Sequence, residues 1–426
     1  MQEVGETGLY GARPQEGWLY QEFLPQLRGL EGAKKYREMS DNDPVINGVL
    51  YAIEMIIRNV KWRIDEVGWE EAGLDEATAL EAQALVEGML FKDMAQPFEE
   101  YITEALSMLT YGYALLEIVY KRRNGETDDP KTSSIFSDGL IGVAKLARRH
   151  QQTVWRWKFH PEGDAYAVEQ FRIGQPNAII PLEKCLLFRT KSDANNPEGR
   201  SILRSAYIPY VRKQVLEEAE GRLAVRSAGV VEFRIPGKWL GPDATAEEAA
   251  MATAYKTIAD NLAKDRSGSI VLPSDRDDKG NAYVEMKFNI AETRQATNLD
   301  TSINRLDRRI ASAVLADFIL LGQTDVGSFA LADNKTNMFA RACGAVVSSL
   351  AEVINRGLLP KLWKLNGLDP QYMPKLVAGD LETPDLGALA AYVQTLAGSG
   401  AALFPNPKLE EHLLSIANLP TAQEQG

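Results

Sequence analysis

ETRQATNLDTSINRLDRRIASAVLA, residues 292–316, is the stretch on which the fold turns. Ala296, Leu299, Ile303, Leu306, Ile310 and Ala313 recur at three-four spacing, which at 100° per residue draws one narrow apolar seam along a long helix. Arg294, Arg305 and Arg308 fall on the opposite face. Asp300 and Asp307 share one flank and Arg309 lies on the other. Two readings stay open for this helix alone. It is an amphipathic helix inside one chain, or a helix that packs side by side in a ring with opposite charges meeting across each interface.

Working outward, a second long helix is expected from about Pro209 to Ala228, stopped by Gly229. Between the two lies a small αβ unit over 229–291. It holds a strand (Val230 to Ile235), a Pro/Gly loop, a helix (about Ala246 to Lys264) and two strand-like runs, Ser269–Leu272 and Tyr283–Phe288. The layout is helix, insert, helix, with the insert at the end of a two-helix stalk. After the second helix comes a glycine-hinged polar loop, Leu321–Leu331, and a further helix from about Asp333 to Arg356. The stretch from 360 reads as mixed helix and loop.

The first half reads as α+β. Residues 1–30 are glycine-rich and aromatic, an extended arm. The first clear element opens at Ser40–Pro44, with Asp43 suited to N-cap and Pro44 to the first helical position. The apolar run to Val60 follows at helical spacing, then a short strand, Val60–Ile64. Helices are expected over Ala77–Leu90 and Pro97–Leu109, then a strand over Tyr111–Tyr120. Thr153–Phe159 and Ala165–Ile173 alternate around a Pro161–Asp164 turn, which predicts a hairpin, and Cys185–Phe188 adds a strand to an antiparallel meander. Trp155, Trp157 and Phe159 read as one strand face, packed in the core or offered as a base-stacking platform; alternation with Arg156 and Lys158 favours the core. The run Arg148-Arg149-His150 reads as a solvated helix end or a phosphate contact.

Composition narrows the function. The chain has 426 residues, 45% hydrophobic and 25% charged, an ordinary globular balance. Its net charge of −12 disfavours tight static binding to DNA, because phosphate contacts need Lys and Arg, and fits equally an acidic soluble protein or a channel through which DNA slides without sticking. No P-loop, G-x-S-x-G, H-E-x-x-H or zinc-spaced cluster occurs. The three histidines are scattered, and Cys185 and Cys343 read as buried free thiols of a protein made in a reducing compartment. The N-terminus lacks the basic and apolar regions of a signal peptide, and no run approaches the roughly 18 apolar residues of a membrane span. No cofactor, metal or membrane is expected.

Several segments together resemble the phage portal family, its Mu-like branch in particular. They are the Asp-Asn-Asp-Pro helix ending in Trp62, Tyr111-Gly112-Tyr113-Ala114, Asn196-Pro197-Glu198-Gly199-Arg200-Ser201, and Ile319–Thr324 followed by Gly327–Leu331. The resemblance covers roughly residues 30–418 and rests on the order and spacing of these motifs. It implies a portal-like α+β fold: N-terminal arm 1–30, wing 31–205, stem helix 206–228, clip 229–291, stem helix 292–316, tunnel loop 317–335, a helix returning to the wing 336–359, and a short crown 360–426. It implies a twelve-subunit homo-oligomeric ring at one capsid vertex of the virion, synthesised in the bacterial cytoplasm. Through the ring double-stranded DNA is packaged and ejected. The partners it implies are the terminase large subunit, a head–tail adaptor, and the major capsid and scaffold proteins. Gln323, Thr324, Asp325, Ser328, Asn334 and Lys335 are expected at the channel constriction, and Asp300, Asp307, Arg305 and Arg309 between neighbouring stems. The competing readings are another virion structural protein, such as a head–tail adaptor or minor head protein, and a phage hydrolase. The missing nucleophile and metal motifs argue against the second.

Overall fold

The computed structural model describes residues 14–15, 18–19 and 21–379, apart from 130, 162, 192–195, 228–229, 264–281, 283, 290–292 and 315–328. The chain divides into two units, one made of residues 1–205 with 313–426, the other of the inserted stretch 206–312.

In the first unit, short strands β1 (Pro14–Gln15) and β2 (Trp18–Leu19) pair antiparallel. Helix α1 (Gly29–Asn42) follows, an element the sequence reading did not assign. Its turns bury Gly32, Ala33, Tyr36 and Met39 rather than large aliphatic residues, so its apolar signal is weak. Asp43 then caps α2 (Pro44–Arg58) as expected: its Oδ1 accepts from the Val45 and Ile46 amides, both at 3.0 Å. Next come β3 (Trp62–Asp65), α3 (Trp69–Ala72), α4 (Glu76–Glu87), a wide turn over Gly88–Lys92, α5 (Phe98–Ala105) and α6 (Ser107–Tyr111).

Strand β4 (Tyr113–Arg122) is the centre of the unit. It pairs antiparallel with β5 (Ile141–Arg149) on one side and β9 (Cys185–Arg189) on the other. Its alternate residues feed two cores. Ala114, Leu116 and Ile118 face a large core built with α2, α5 and later helices, while Tyr113 and Leu115 join Val154, Trp157, Val168 and Ile180. The second core is the inner face of a separate three-stranded meander, β6 (Val154–Phe159), β7 (Ala165–Gln170) and β8 (Ala178–Pro181). The predicted hairpin is therefore present. The expected single meander is not, because the Cys185 strand returns to β4 instead of continuing beyond β8. Arg148 and Arg149 lie in strand β5, not at a helix end, and Arg149 is paired with Glu117 of β4. The register shifts between Val154 and Arg156, so Trp155 does not share the core face: Trp157 is buried (1% exposed) and Trp155 is not (41%).

The second unit comprises α7 (Tyr207–Ser227), β10 (Val230–Arg234), α8 (Ala246–Ala263), β11 (Glu285–Asn289) and α9 (Thr293–Ala313). The chain then returns to the first unit as α10 (Phe329–Gly357), α11 (Leu359–Asn366) and β12 (Lys375–Ala378). Met338–Asn366 is long and apolar enough to cross a membrane by length and composition, which the sequence reading overlooked. Its apolar residues instead fill the large core: Phe339, Cys343, Val347, Leu350, Ile354, Leu358, Leu362 and Trp363 are buried there. β12 pairs with β3, more than 300 residues earlier, and Leu376 joins the same core. The boundary expected at 360 thus does not mark a break, since residues up to 379 belong to the first unit's packing. Both cysteines are free and buried.

Candidate functional site: the paired long helices and their αβ insert

The insert begins where α7 ends. β10 and β11 pair antiparallel from Val230↔Asn289 to Arg234↔Glu285, which brings the end of α7 and the start of α9 to the same edge of the insert. Helix α8 packs on β10, with Tyr255 against Phe233 (ring centroids 5.6 Å apart) and stacked on Trp239 (6.5 Å, 10° between planes). A capping box starts α8: the Thr245 hydroxyl accepts from the Glu248 amide at 3.3 Å, and the Glu248 carboxylate accepts from the Thr245 amide at 2.8 Å. Lys238 pairs with the same carboxylate at 3.0 Å, and hydrogen bonding, with the Thr245 amide first, lowers the Glu248 pKa. Leu240 and Met251 remain exposed on this unit. The expected strand Ser269–Leu272 lies outside the described residues, and the last strand runs from Glu285 rather than Tyr283.

On α9 the predicted seam is buried at Leu306 and Ile310, with Ala311 buried beside them, while Leu299 and Ile303 are half-buried. Asp300, Arg305, Arg308 and Arg309 are exposed. Asp307 is not a free flank charge. Lys213 of α7 reaches its carboxylate at 2.6 Å and lies 3.7 Å from Glu217. Lys213 is buried, so this pair links the two helices within one chain. The sequence reading missed Lys213. The available signal was its position at i+3 from Tyr210 and i+6 from Tyr207, both buried, because a lysine on a buried stripe needs a carboxylate.

This pair gives a test. Asp307→Ala leaves Lys213 buried and is expected to destabilise the second unit by about 2–3 kcal/mol. That is below the usual range for a broken buried pair, because Asp307 is partly exposed and Glu217 stays near. Lys213→Met with Asp307→Leu should recover most of the loss, since apolar replacement of a buried pair is close to neutral. Urea unfolding followed by hydrogen exchange of α7 and α9 reads both. A double variant less stable than the single one contradicts the pair's role.

Of the residues expected at a constriction, Gln323, Thr324, Asp325 and Ser328 lie outside the described residues. Asn334 and Lys335 fall in α10, which starts at Phe329 rather than near Asp333, so the segment from 329 is helix and not loop. Among the described residues no cluster of His, Cys, Asp and Glu suited to a metal is present.

No curated protein sequence matches the chain. A neck structure of an empty gene transfer agent particle, computed with C6 symmetry, has a chain similar to it with a TM-score of 0.51 and 13% identity, covering 92% of this chain and 94% of that one. The crystal structure of an HK97-family phage portal protein from Corynebacterium diphtheriae is similar at a TM-score of 0.37 and 12% identity, covering 82% of this chain and 94% of that one. The family model described as the portal protein of Mu bacteriophage matches residues 33–413, nearly the whole chain, and the chain belongs to that family of phage portal proteins.

Proposed function

We propose that this portal protein forms a closed homo-oligomeric ring of twelve subunits at one capsid vertex and conducts double-stranded DNA during packaging and ejection. The observation that carries the reading is the inserted unit, two long helices flanking a small αβ module, in a chain of the portal family. In this reading α7 and α9 are the stem and residues 229–291 the clip. The clip offers exposed Leu240 and Met251 to the terminase large subunit and later to a head–tail adaptor. The first unit is the wing, set among capsid and scaffold proteins. Exposed Asp300, Arg305 and Arg309 on α9, with Ile208 and Val215 exposed one heptad apart on α7, face neighbouring stems. Asp307 contributes through Lys213 of its own chain rather than through a neighbour. The protein has no catalytic activity of its own, and turnover is left to the motor that docks on it.

Residues 317–335, with Gln323, Thr324, Asp325, Ser328, Asn334 and Lys335, line the narrowest part of the channel. Polar side chains let phosphates pass with water between, whereas a ring of arginines grips them. Asp325→Arg with Ser328→Arg is therefore expected to leave ring assembly intact and to impair DNA packaging or retention. Packaging of normal yield by assembled double-mutant rings contradicts the placement.

A further inference from the structure

Beside the outer edge of β6 the first unit has an open pocket of about 240 Å³. Tyr113, Trp155, Trp157 and Leu19 form its apolar walls, and Glu198 and Gln151 line it as well. Trp157 meets Tyr113 edge-on, with centroids 5.5 Å apart and 68° between planes. The Glu198 carboxyl accepts one hydrogen bond, 3.1 Å from Trp157 Nε1. The other polar groups on the wall are engaged elsewhere. Arg28 donates to the carbonyls of Glu22 and Phe23, Arg156 pairs with Glu169 at 2.6 Å, and the Gln151 amide donates to Tyr113 O and Ser107 Oγ. Glu198 is thus a half-buried carboxyl set against the Trp157 ring. Burial raises its pKa, and the Trp157 hydrogen bond opposes the shift.

A carboxylate on the wall of a pocket that also carries aromatic rings is the chemistry that recognises an organic cation. The charge meets the carboxylate, and the ring faces attract both the cation and its apolar stem. The volume is below that of a pocket for a drug-sized ligand and suits one side chain or one end of a flexible amine. We propose that this pocket takes a guanidinium or primary ammonium group on an apolar stem, with its charge on Glu198 and its stem against Trp155, Trp157 and Tyr113. Two sources share this chemistry, a small free polyamine and a basic side chain of a second copy of the chain.

The test uses the full chain, with agmatine and putrescine as cationic probes and 1-butanol as a neutral one. The cations are expected to raise the melting temperature of dissociated wild-type chain and to change its tryptophan emission, while butanol does neither. Glu198→Gln should weaken agmatine at least tenfold. It should also raise the melting temperature without ligand at neutral pH, because it removes a half-buried carboxylate that pairs with no cation among the described residues. Trp155→Ala, at a half-exposed position, should weaken agmatine several-fold and leave folding intact. If rings form and a neighbour's side chain is the occupant, agmatine leaves the ring's melting temperature unchanged and Glu198→Gln weakens assembly at least tenfold. Equal agmatine response together with equal assembly in wild type and Glu198→Gln overturns the proposal, whether or not rings form.

Discussion

Asp93→Ala is expected to destabilise the first unit by about 3–5 kcal/mol, the range for removing one partner of a buried ion pair. Asp93 is buried between two cations. Lys121 Nζ lies 3.0 Å from its Oδ1, and Arg123 Nε is 4.0 Å from its Oδ2. All three side chains are almost wholly buried. The same carboxylate accepts from the Ser134 hydroxyl at 2.8 Å and the Ile135 amide at 3.1 Å, which fastens the long loop between β4 and β5. Arg123 is also held by Asp138 at 3.0 Å and lies over the Phe136 ring at 4.0 Å, yet its Nη1 has no hydrogen-bond partner. Removing Asp93 therefore leaves the buried Lys121 ammonium without its carboxylate, leaves Arg123 to Asp138 alone, and frees the loop. Asp93→Asn should cost less, because its one amide oxygen still accepts from the Ile135 amide, while its NH2 replaces the oxygen that faces Ser134 and the hydroxyl there can turn to accept. Urea unfolding gives the order wild type, Asn, Ala. Hydrogen exchange over 125–138 should quicken most in Asp93→Ala. Native-like exchange of that loop in Asp93→Ala would count against the network as its fastener.

Gly112→Ala is expected to cost about 3 kcal/mol or more, the sum of a left-handed backbone and a clash with main chain. Gly112 ends α6 at φ +93° and leads into β4. A Cβ there would come 2.6 Å from Glu198 O and 2.9 Å from Ser201 N. Gly199 faces it at φ +59°, and a Cβ on Gly199 would lie 2.4 Å from Gly112 O. That carbonyl accepts from both the amide and the hydroxyl of Thr190, each at 3.1 Å. Neither contact has a flexible side chain to yield. The two glycines press the segment leading to α7 against the start of β4, so Gly112→Ala should also loosen β4 amides. A loss below about 1 kcal/mol, comparable to an ordinary point substitution, would mean that the backbone can rearrange there.

These contacts show where sequence reasoning reached and where it stopped. The Asp43–Pro44 cap, the β6–β7 hairpin and the pattern of two long helices around an insert were legible, because each is written in local spacing or turn chemistry. Helix α1 was missed because it buries glycine and alanine against close backbone; a Cβ on Gly32 would meet Leu27 O at 2.3 Å. Strand β5 was missed because its basic end is neutralised across the sheet, by Glu117 on Arg149. β12 depends on a partner three hundred residues away, which no local pattern announces. At the long helices the charges on α9 were legible as residues. Their division was not: whether Asp307 faces out or onto Lys213 is decided by the packing of α7 on the same unit.

The function proposed for this chain depends on its assembling into a ring with a channel. Mass photometry and electron microscopy of concentrated purified protein decide it. A discrete species near twelve times the chain mass is expected, seen end-on as a closed ring with a central hole. A strictly monomeric population at every concentration and salt, with no ring of this chain in virions, would contradict it.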